Sequence, residues 1–113
     1  IFGRVKNKNL LIIDDKVDTA GSLMSAIDGL KKLGALDIYG GFVHPVLSGK
    51  GVERIQNCEA LKKVYFTNTI NRFAKEKKPE KIKLVDTSKV FADTIYRFHK
   101  GLAISTRFKQ NNI

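Results

Sequence analysis

Short apolar runs alternate with amphipathic stretches along this chain. Leu10-Leu-Ile-Ile13 is a continuous apolar run closed by acid, the pattern of a buried strand ending at Asp14. Ser22 is placed to cap a helix in which Leu23, Ile27 and Leu30 recur at i, i+4 and i+7, with Gly34 as its stop. Ile38 to Val43 predicts a second strand, and Pro45 breaks it to open a loop from His44 to Gly49. A short helix over Val52 to Asn57 and a third strand over Val64 to Thr67 follow. Asn68 to Glu80 reads as a polar connection and Ile82 to Val85 as a fourth strand. Ser88 is placed to cap a last helix ending at Gly101, with Phe91, Ile95 and Phe98 on one core-facing stripe. Residues 109–113 read as a frayed polar tail.

The order β-α-β-α-β-β-α predicts an α/β domain, a largely parallel sheet flanked by helices on both faces. With 113 residues the chain has enough material for one small domain with one modest core. The longest apolar run is too short to span a bilayer, so no membrane partner is expected. The start, Ile1-Phe2-Gly3-Arg4, has neither an initiator Met nor a signal-peptide layout and reads as the middle of a longer protein. The single Cys58 cannot form an internal disulfide and fits a reducing, cytoplasmic setting.

Charge narrows the partners. Net charge is +10, from 21 Lys and Arg against 11 Asp and Glu, which favours anions. The lysines are scattered, and the densest cluster, Lys75 to Lys83, is interrupted by glutamates. A nucleic-acid interface would more often show a basic stripe with interleaved aromatics, so small anionic ligands are the expectation, not nucleic acid.

The stretch after the first strand, Asp14-Asp-Lys-Val-Asp-Thr-Ala-Gly-Ser22, carries the candidate chemistry. In open α/β sheets ligands sit beyond the carboxyl ends of the strands. Thr19, Ala20, Gly21 and Ser22 are all small; Gly21 permits a left-handed backbone, so successive N–H groups can curl into a nest. A helix N-terminus behind them adds partial positive charge and unpaired donors, enough to cradle one phosphate monoester. There is no Gly-Lys-Ser/Thr of a Walker loop and no G-x-G-x-x-G after a strand. The carboxylates need a different partner, because they repel phosphate. Asp14 and Asp15 suit vicinal hydroxyls or Mg²⁺. A pentose 5-phosphate presents a phosphate at one end and a diol at the other.

Residues Leu10 to Ser22 resemble the phosphoribosyl-pyrophosphate (PRPP) binding motif shared by type I phosphoribosyltransferases and ribose-phosphate pyrophosphokinases. Further stretches are similar to the pyrophosphokinases: His44-Pro-Val-Leu-Ser-Gly49 with Val52-Glu-Arg-Ile55, Thr67-Asn-Thr-Ile70, and Ala92 to Gly101 followed by Ile104, Ser105 and Phe108. The similarity runs from Gly3 to Phe108. It implies a phosphoribosyltransferase-like fold, with residues 1–108 forming a C-terminal domain that lacks its N-terminal part. It also implies transfer of diphosphate from ATP to ribose 5-phosphate, giving PRPP and AMP with Mg²⁺ as cofactor. By the same resemblance Asp18, Thr19, Ala20, Gly21 and Ser22 hold the 5-phosphate, Asp14 accepts hydrogen bonds from the ribose hydroxyls, and Asp15 assists there or through Mg²⁺-bound water. No residue here is assigned as a catalytic group. Family members form dimers assembled into hexamers, and the piece alone is expected to bind sugar phosphate weakly and not to turn over.

The sequence departs from the family pattern at Val43 for Thr, Asn71 for Pro, Tyr96 for a basic residue and Ala103 for a serine. Tail serines in the family bind a regulatory phosphate; Ser105 keeps one, while Ala103 puts that activation in question. Two other functions share the motif: a phosphoribosyltransferase that consumes PRPP, and a noncatalytic regulator associated with the synthetase. Elsewhere, His44 reads as structural, His99 as a partner of a helix dipole and Cys58 as a small, half-buried residue. Of Tyr65 and Phe66, one is expected in the core and one at a subunit contact.

Overall fold

A computed structural model describes residues 3–109. The expected tail at residues 109–113 falls almost wholly outside the described residues. Four strands, β1 (Leu10–Val17), β2 (Ile38–Pro45), β3 (Leu61–Thr67) and β4 (Ile82–Val85), form one sheet in the order β1-β2-β3-β4. All three pairings are parallel, as the α/β pattern predicts. Helices α1 (Gly21–Lys32) and α2 (Gly51–Asn57) make the first two crossovers. The third, between β3 and β4, contains no helix, in keeping with its polar sequence. Helix α3 (Ser88–His99) follows β4, and a short α4 (Ser105–Lys109) that the apolar spacing did not mark comes after it, reaching the first residue of the expected tail.

The core lies on one face of the sheet. Leu23, Ile27 and Leu30 of α1 and Ile55 of α2 pack with Ile38, Phe42, Val64, Phe66 and Ile82. The Phe42 and Phe66 rings meet at 5.6 Å between centroids. Expecting helices on both faces overlooked the strand order. When each strand adds to the same side of its predecessor, right-handed crossovers all return over one face. The opposite face therefore presents Leu11, Ile13, Val43 and Tyr65 uncovered, Ile13 at 75% exposure. The first strand is thus not the fully buried strand that its apolar run suggested. Phe66 is the core member of the Tyr65–Phe66 pair.

Lys81 closes the end of α2. Its ammonium donates to the carbonyls of Ile55 at 3.0 Å, Gln56 at 3.2 Å and Cys58 at 2.7 Å, the groups a helix C-terminus leaves unpaired. Partial burial pushes its pKa down. Cys58 itself is half-buried and unpaired by disulfide, as expected.

Helix α3 departs furthest from expectation. Phe91, Ile95 and Phe98 form the anticipated stripe, but all three are exposed, Phe98 at 80%, and the helix buries no residue. An amphipathic pattern specifies a face without guaranteeing a surface to cover it, and no described element lies against this one. The cap also differs, because Ser88 is the first residue inside the helix, Thr87 holds the cap position without a side-chain hydrogen bond, and Asp86 just before it meets the first donors. Its carboxylate accepts from the Ser88 N–H at 2.8 Å, the Ser88 hydroxyl and the Asn68 amide at 2.9 Å. Asn68 in turn accepts from the Thr87 N–H and hydroxyl, tying the start of α3 to the end of β3. His99 occupies the last turn of α3, where a cation complements the helix dipole.

The Ser88 hydroxyl, then the Ser88 N–H and Asn68, hold the Asp86 carboxyl below its ordinary range. A carboxyl depressed in the folded state binds protons less readily there than in the unfolded chain. Its contribution is complete above the unfolded value and is lost as pH falls through the folded one. Fraying at the start of α3 is expected only as pH drops below about 4, and D86N should abolish that pH dependence. Far-ultraviolet circular dichroism against pH checks this; an unchanged acid limb in D86N would count against it.

Candidate functional site

Strand β1 runs further than the sequence suggested, through Asp14 and Asp15 to Val17, because Lys16 and Val17 continue the ladder opposite His44 and Pro45. Asp14 is therefore inside the strand and not at its end, and Asp15 is in the strand and not in the loop. Asp14 lies opposite Phe42, and its carboxylate accepts from the Asp15 N–H at 2.8 Å. Only Asp18, Thr19 and Ala20 connect β1 to α1.

The helix start corrects two expectations. Ser22 is the second residue of α1, not its cap, and Ala20 holds the cap position with no side-chain hydrogen bond. A serine cap would have bonded one of the first N–H groups. Without one, the early donors of α1 stay directed out of the helix end, where the dipole is positive. The left-handed residue is likewise Ala20, at φ 65° and ψ 10°, rather than Gly21. At Gly21 the missing side chain instead keeps the backbone open to close approach.

A cleft of about 430 Å³ opens between β1 and α1. Asp14, Asp15, Asp18, Thr19, Ala20, Gly21 and Ser22 all line it, with Ile12, Lys16 and Phe42 among its other walls. The seven sequence-predicted residues are thus brought to one place, with acids on the strand side and uncapped donors at the helix. The Asp18 carboxylate accepts from the Ser48 hydroxyl in the loop after β2. That bond occupies the one acid nearest the donors.

Residues beyond the motif shape the same loop. Arg54 of α2 donates from Nη1 to the Thr19 carbonyl at 2.8 Å, and the Leu47 N–H donates to the Val17 carbonyl at 3.0 Å. Arg72 grips the Leu47 carbonyl through Nε at 3.3 Å and Nη2 at 3.2 Å. The sequence marked Leu47, Ser48 and Arg54 only as part of similar stretches; nothing local to them signals contact with a segment 30 to 35 positions away. His44 is taken up by a 2.7 Å hydrogen bond between Nδ1 and the Thr69 hydroxyl, consistent with a structural place.

Ser105 opens α4, away from this cleft's lining. Its neighbourhood is organised by Asp93, which pairs with Arg97 at 3.0 Å and Arg107 at 3.2 Å, while Arg97 also donates to the Ala103 carbonyl. Among the described residues, no three His, Cys, Asp or Glu side chains are grouped to hold a metal, and no helix is long and apolar enough to cross a membrane.

A parallel sheet with such a cleft beyond the carboxyl end of a strand is the place where open α/β folds put a ligand site. The family model described as phosphoribosyl synthetase-associated domain matches residues 1–109, and the chain belongs to that family. It is 41% identical over 108 residues to a ribose-phosphate pyrophosphokinase of Caldanaerobacter subterraneus, covering 96% of this chain and 34% of that protein. It is 38% identical over 113 residues to a ribose-phosphate pyrophosphokinase of Chlorobaculum tepidum, covering 100% of this chain and 34% of that one. Among solved structures, phosphoribosylpyrophosphate synthetase from Mycobacterium smegmatis superposes with a TM-score of 0.81 at 28% identity, covering 88% of this chain and 33% of that one. The family resemblance and the parallel α/β fold expected from the sequence are both borne out. The chain spans about one third of the length of the curated relatives it matches.

Proposed function

We propose that this chain supplies the ribose 5-phosphate half-site of a ribose-phosphate pyrophosphokinase. The observation that carries the reading is the two-ended cleft, lined by Asp14 at its β1 side and by the uncapped start of α1 at the other, with Asp15 next to Asp14 along the strand. In the reaction named for the relatives, the anomeric hydroxyl of ribose 5-phosphate attacks the β-phosphorus of ATP. The new bond joins that oxygen to the β-phosphorus, the bond to the α-phosphoryl oxygen breaks, and PRPP and AMP result.

Such transfer depends mainly on positioning and on neutralising charge. The N–H groups of residues 19–22, with the Thr19 and Ser22 hydroxyls, bind the 5-phosphate. Asp14 accepts from the ribose hydroxyls and fixes which face of the sugar meets ATP. Holding both ends of the sugar defines the position of the anomeric oxygen. Asp15 fits Mg²⁺ through its hydration shell, because Mg²⁺ keeps several waters and takes one or two carboxylates together with substrate phosphates. Mg²⁺ there would neutralise diphosphate charge. ATP, the other partner, is taken up by parts of a longer protein, which works as a homo-oligomer.

The test is a titration of the chain with ribose 5-phosphate followed by amide NMR. Expected are millimolar binding, shifts confined to residues 14–22, weaker binding by ribose or by phosphate alone, and no AMP release with ATP and Mg²⁺. Shifts elsewhere, or none, would sink the reading.

A further inference from the structure

The conformation of residues 18–20 is not self-supporting. A left-handed alanine is sterically unfavourable and persists only where its surroundings over-determine it. The surroundings here come from a single neighbour, the turn into α2 and its first residues. Ser48, Gly51 and Arg54 recur at intervals of three and meet the loop in succession. Ser48 donates to the Asp18 carboxylate. A Cβ on Gly51 would lie 2.6 Å from the Asp18 carbonyl oxygen, so that oxygen rests directly on the α2 backbone. Arg54 holds the next carbonyl, that of Thr19, at 2.8 Å.

The peptide group is planar and trans, so its C=O and N–H point in opposite directions. Two successive carbonyls drawn toward α2 therefore send the N–H groups of Thr19 and Ala20 away from it. Those are the two donors that precede the helix and complete the nest with Gly21 and Ser22. We infer that Arg54 is a positioning residue for phosphate recognition: it turns the Thr19–Ala20 peptide so that the Ala20 N–H faces the bound phosphate. Gly51 acts on the preceding peptide by leaving room for the Asp18 carbonyl. Arg54 acts through the backbone and touches no substrate. A nest held before the ligand arrives avoids the ordering cost of forming it on binding, which is where the affinity comes from.

The inference rests on the reading of this loop as the sugar-phosphate cradle, and the experiment separates the two. Ribose 5-phosphate is titrated into the full chain and into R54M and R54Q, with inorganic phosphate as a second probe. R54M keeps the apolar stem and loses the donor; R54Q keeps an N–H donor and loses the charge. Expected are about tenfold weaker ribose 5-phosphate binding in R54M and partial recovery in R54Q. The Ala20 amide resonance should shift on saturation in the unaltered chain and in R54Q, and much less in R54M. Thermal unfolding of the ligand-free variants identifies a merely structural effect, which would move the midpoint without moving the saturated Ala20 shift. Equal binding by R54M and the unaltered chain overturns the inference. So does equal weakening in R54Q and R54M, which would assign the effect to charge rather than to the peptide's orientation. Failure of the unaltered chain to bind ribose 5-phosphate instead overturns the cradle reading, and this inference with it.

Discussion

Phe66→Ala is expected to cost about 3–5 kcal/mol of folding stability. Phe66 is fully buried on the inner strand β3, against Phe42 and in the same cluster as Leu30 of α1 and Ile55 of α2. Truncation removes the transfer energy of the ring and leaves a cavity that two helices and a sheet cannot collapse around. Since small domains are stable by only about 5–15 kcal/mol, the variant should sit near its unfolding midpoint in dilute denaturant. Phe98→Ala deletes the same ring from an 80% exposed position and should stay within about 0.5 kcal/mol of the parent. Urea unfolding of the two variants side by side measures the contrast. Similar losses would mean that the single-faced core is drawn wrongly.

Gly51→Ala is expected to weaken ribose 5-phosphate binding by tenfold or more, on the order of 1.4 kcal/mol. Two effects oppose each other there. Helix propensity favours Ala over Gly by up to about 1 kcal/mol, less at a first helical residue. Against it, the new methyl would sit 2.6 Å from the Asp18 carbonyl oxygen, which is backbone and has no rotamer to escape into. Either the 18–20 loop shifts, which moves the Thr19 N–H, or α2 lifts, which draws Arg54 away from the Thr19 carbonyl and frees the Ala20 N–H to turn. Gly29→Ala is the matched control, because nothing lies within 4 Å of its added carbon. It should stabilise α1 by about 0.5–1 kcal/mol and leave binding unchanged. Calorimetric titration reads both variants; unaltered affinity in G51A would show that the loop tolerates the displacement.

How much was legible in the sequence divides along local and nonlocal physics. Strand and helix positions followed from apolar spacing, and the seven predicted site residues converge because they lie within one stretch of nine, Asp14 to Ser22. The extension of β1 through Lys16 and Val17 was not legible, since it depends on pairing with His44 and Pro45. Helix α3 illustrates the same limit in burial: Phe91, Ile95 and Phe98 announce an apolar face, but only tertiary structure says what covers it. The cap at Ala20 ran against residue statistics, which favour Ser22 as cap and Gly21 for a left-handed backbone. Arg54 explains how that exception is held, through a hydrogen bond whose two ends are 35 positions apart. The site departs from local preference at the place where donors must face outward, as functional loops commonly do.

The strand order also bears on how the chain reaches this state. Each strand pairs with the one made just before it, so the sheet can grow by accretion, one crossover at a time. Among the described strands none pairs with a segment distant in the chain order, and each closure costs loop entropy that rises only slowly with length. The 18–20 loop is formed at the first of these steps but acquires its bonds to Ser48 and Arg54 only after the second strand has been laid down. During synthesis, the peptide orientation fixed by Arg54 therefore matures one crossover later than the loop that contains it.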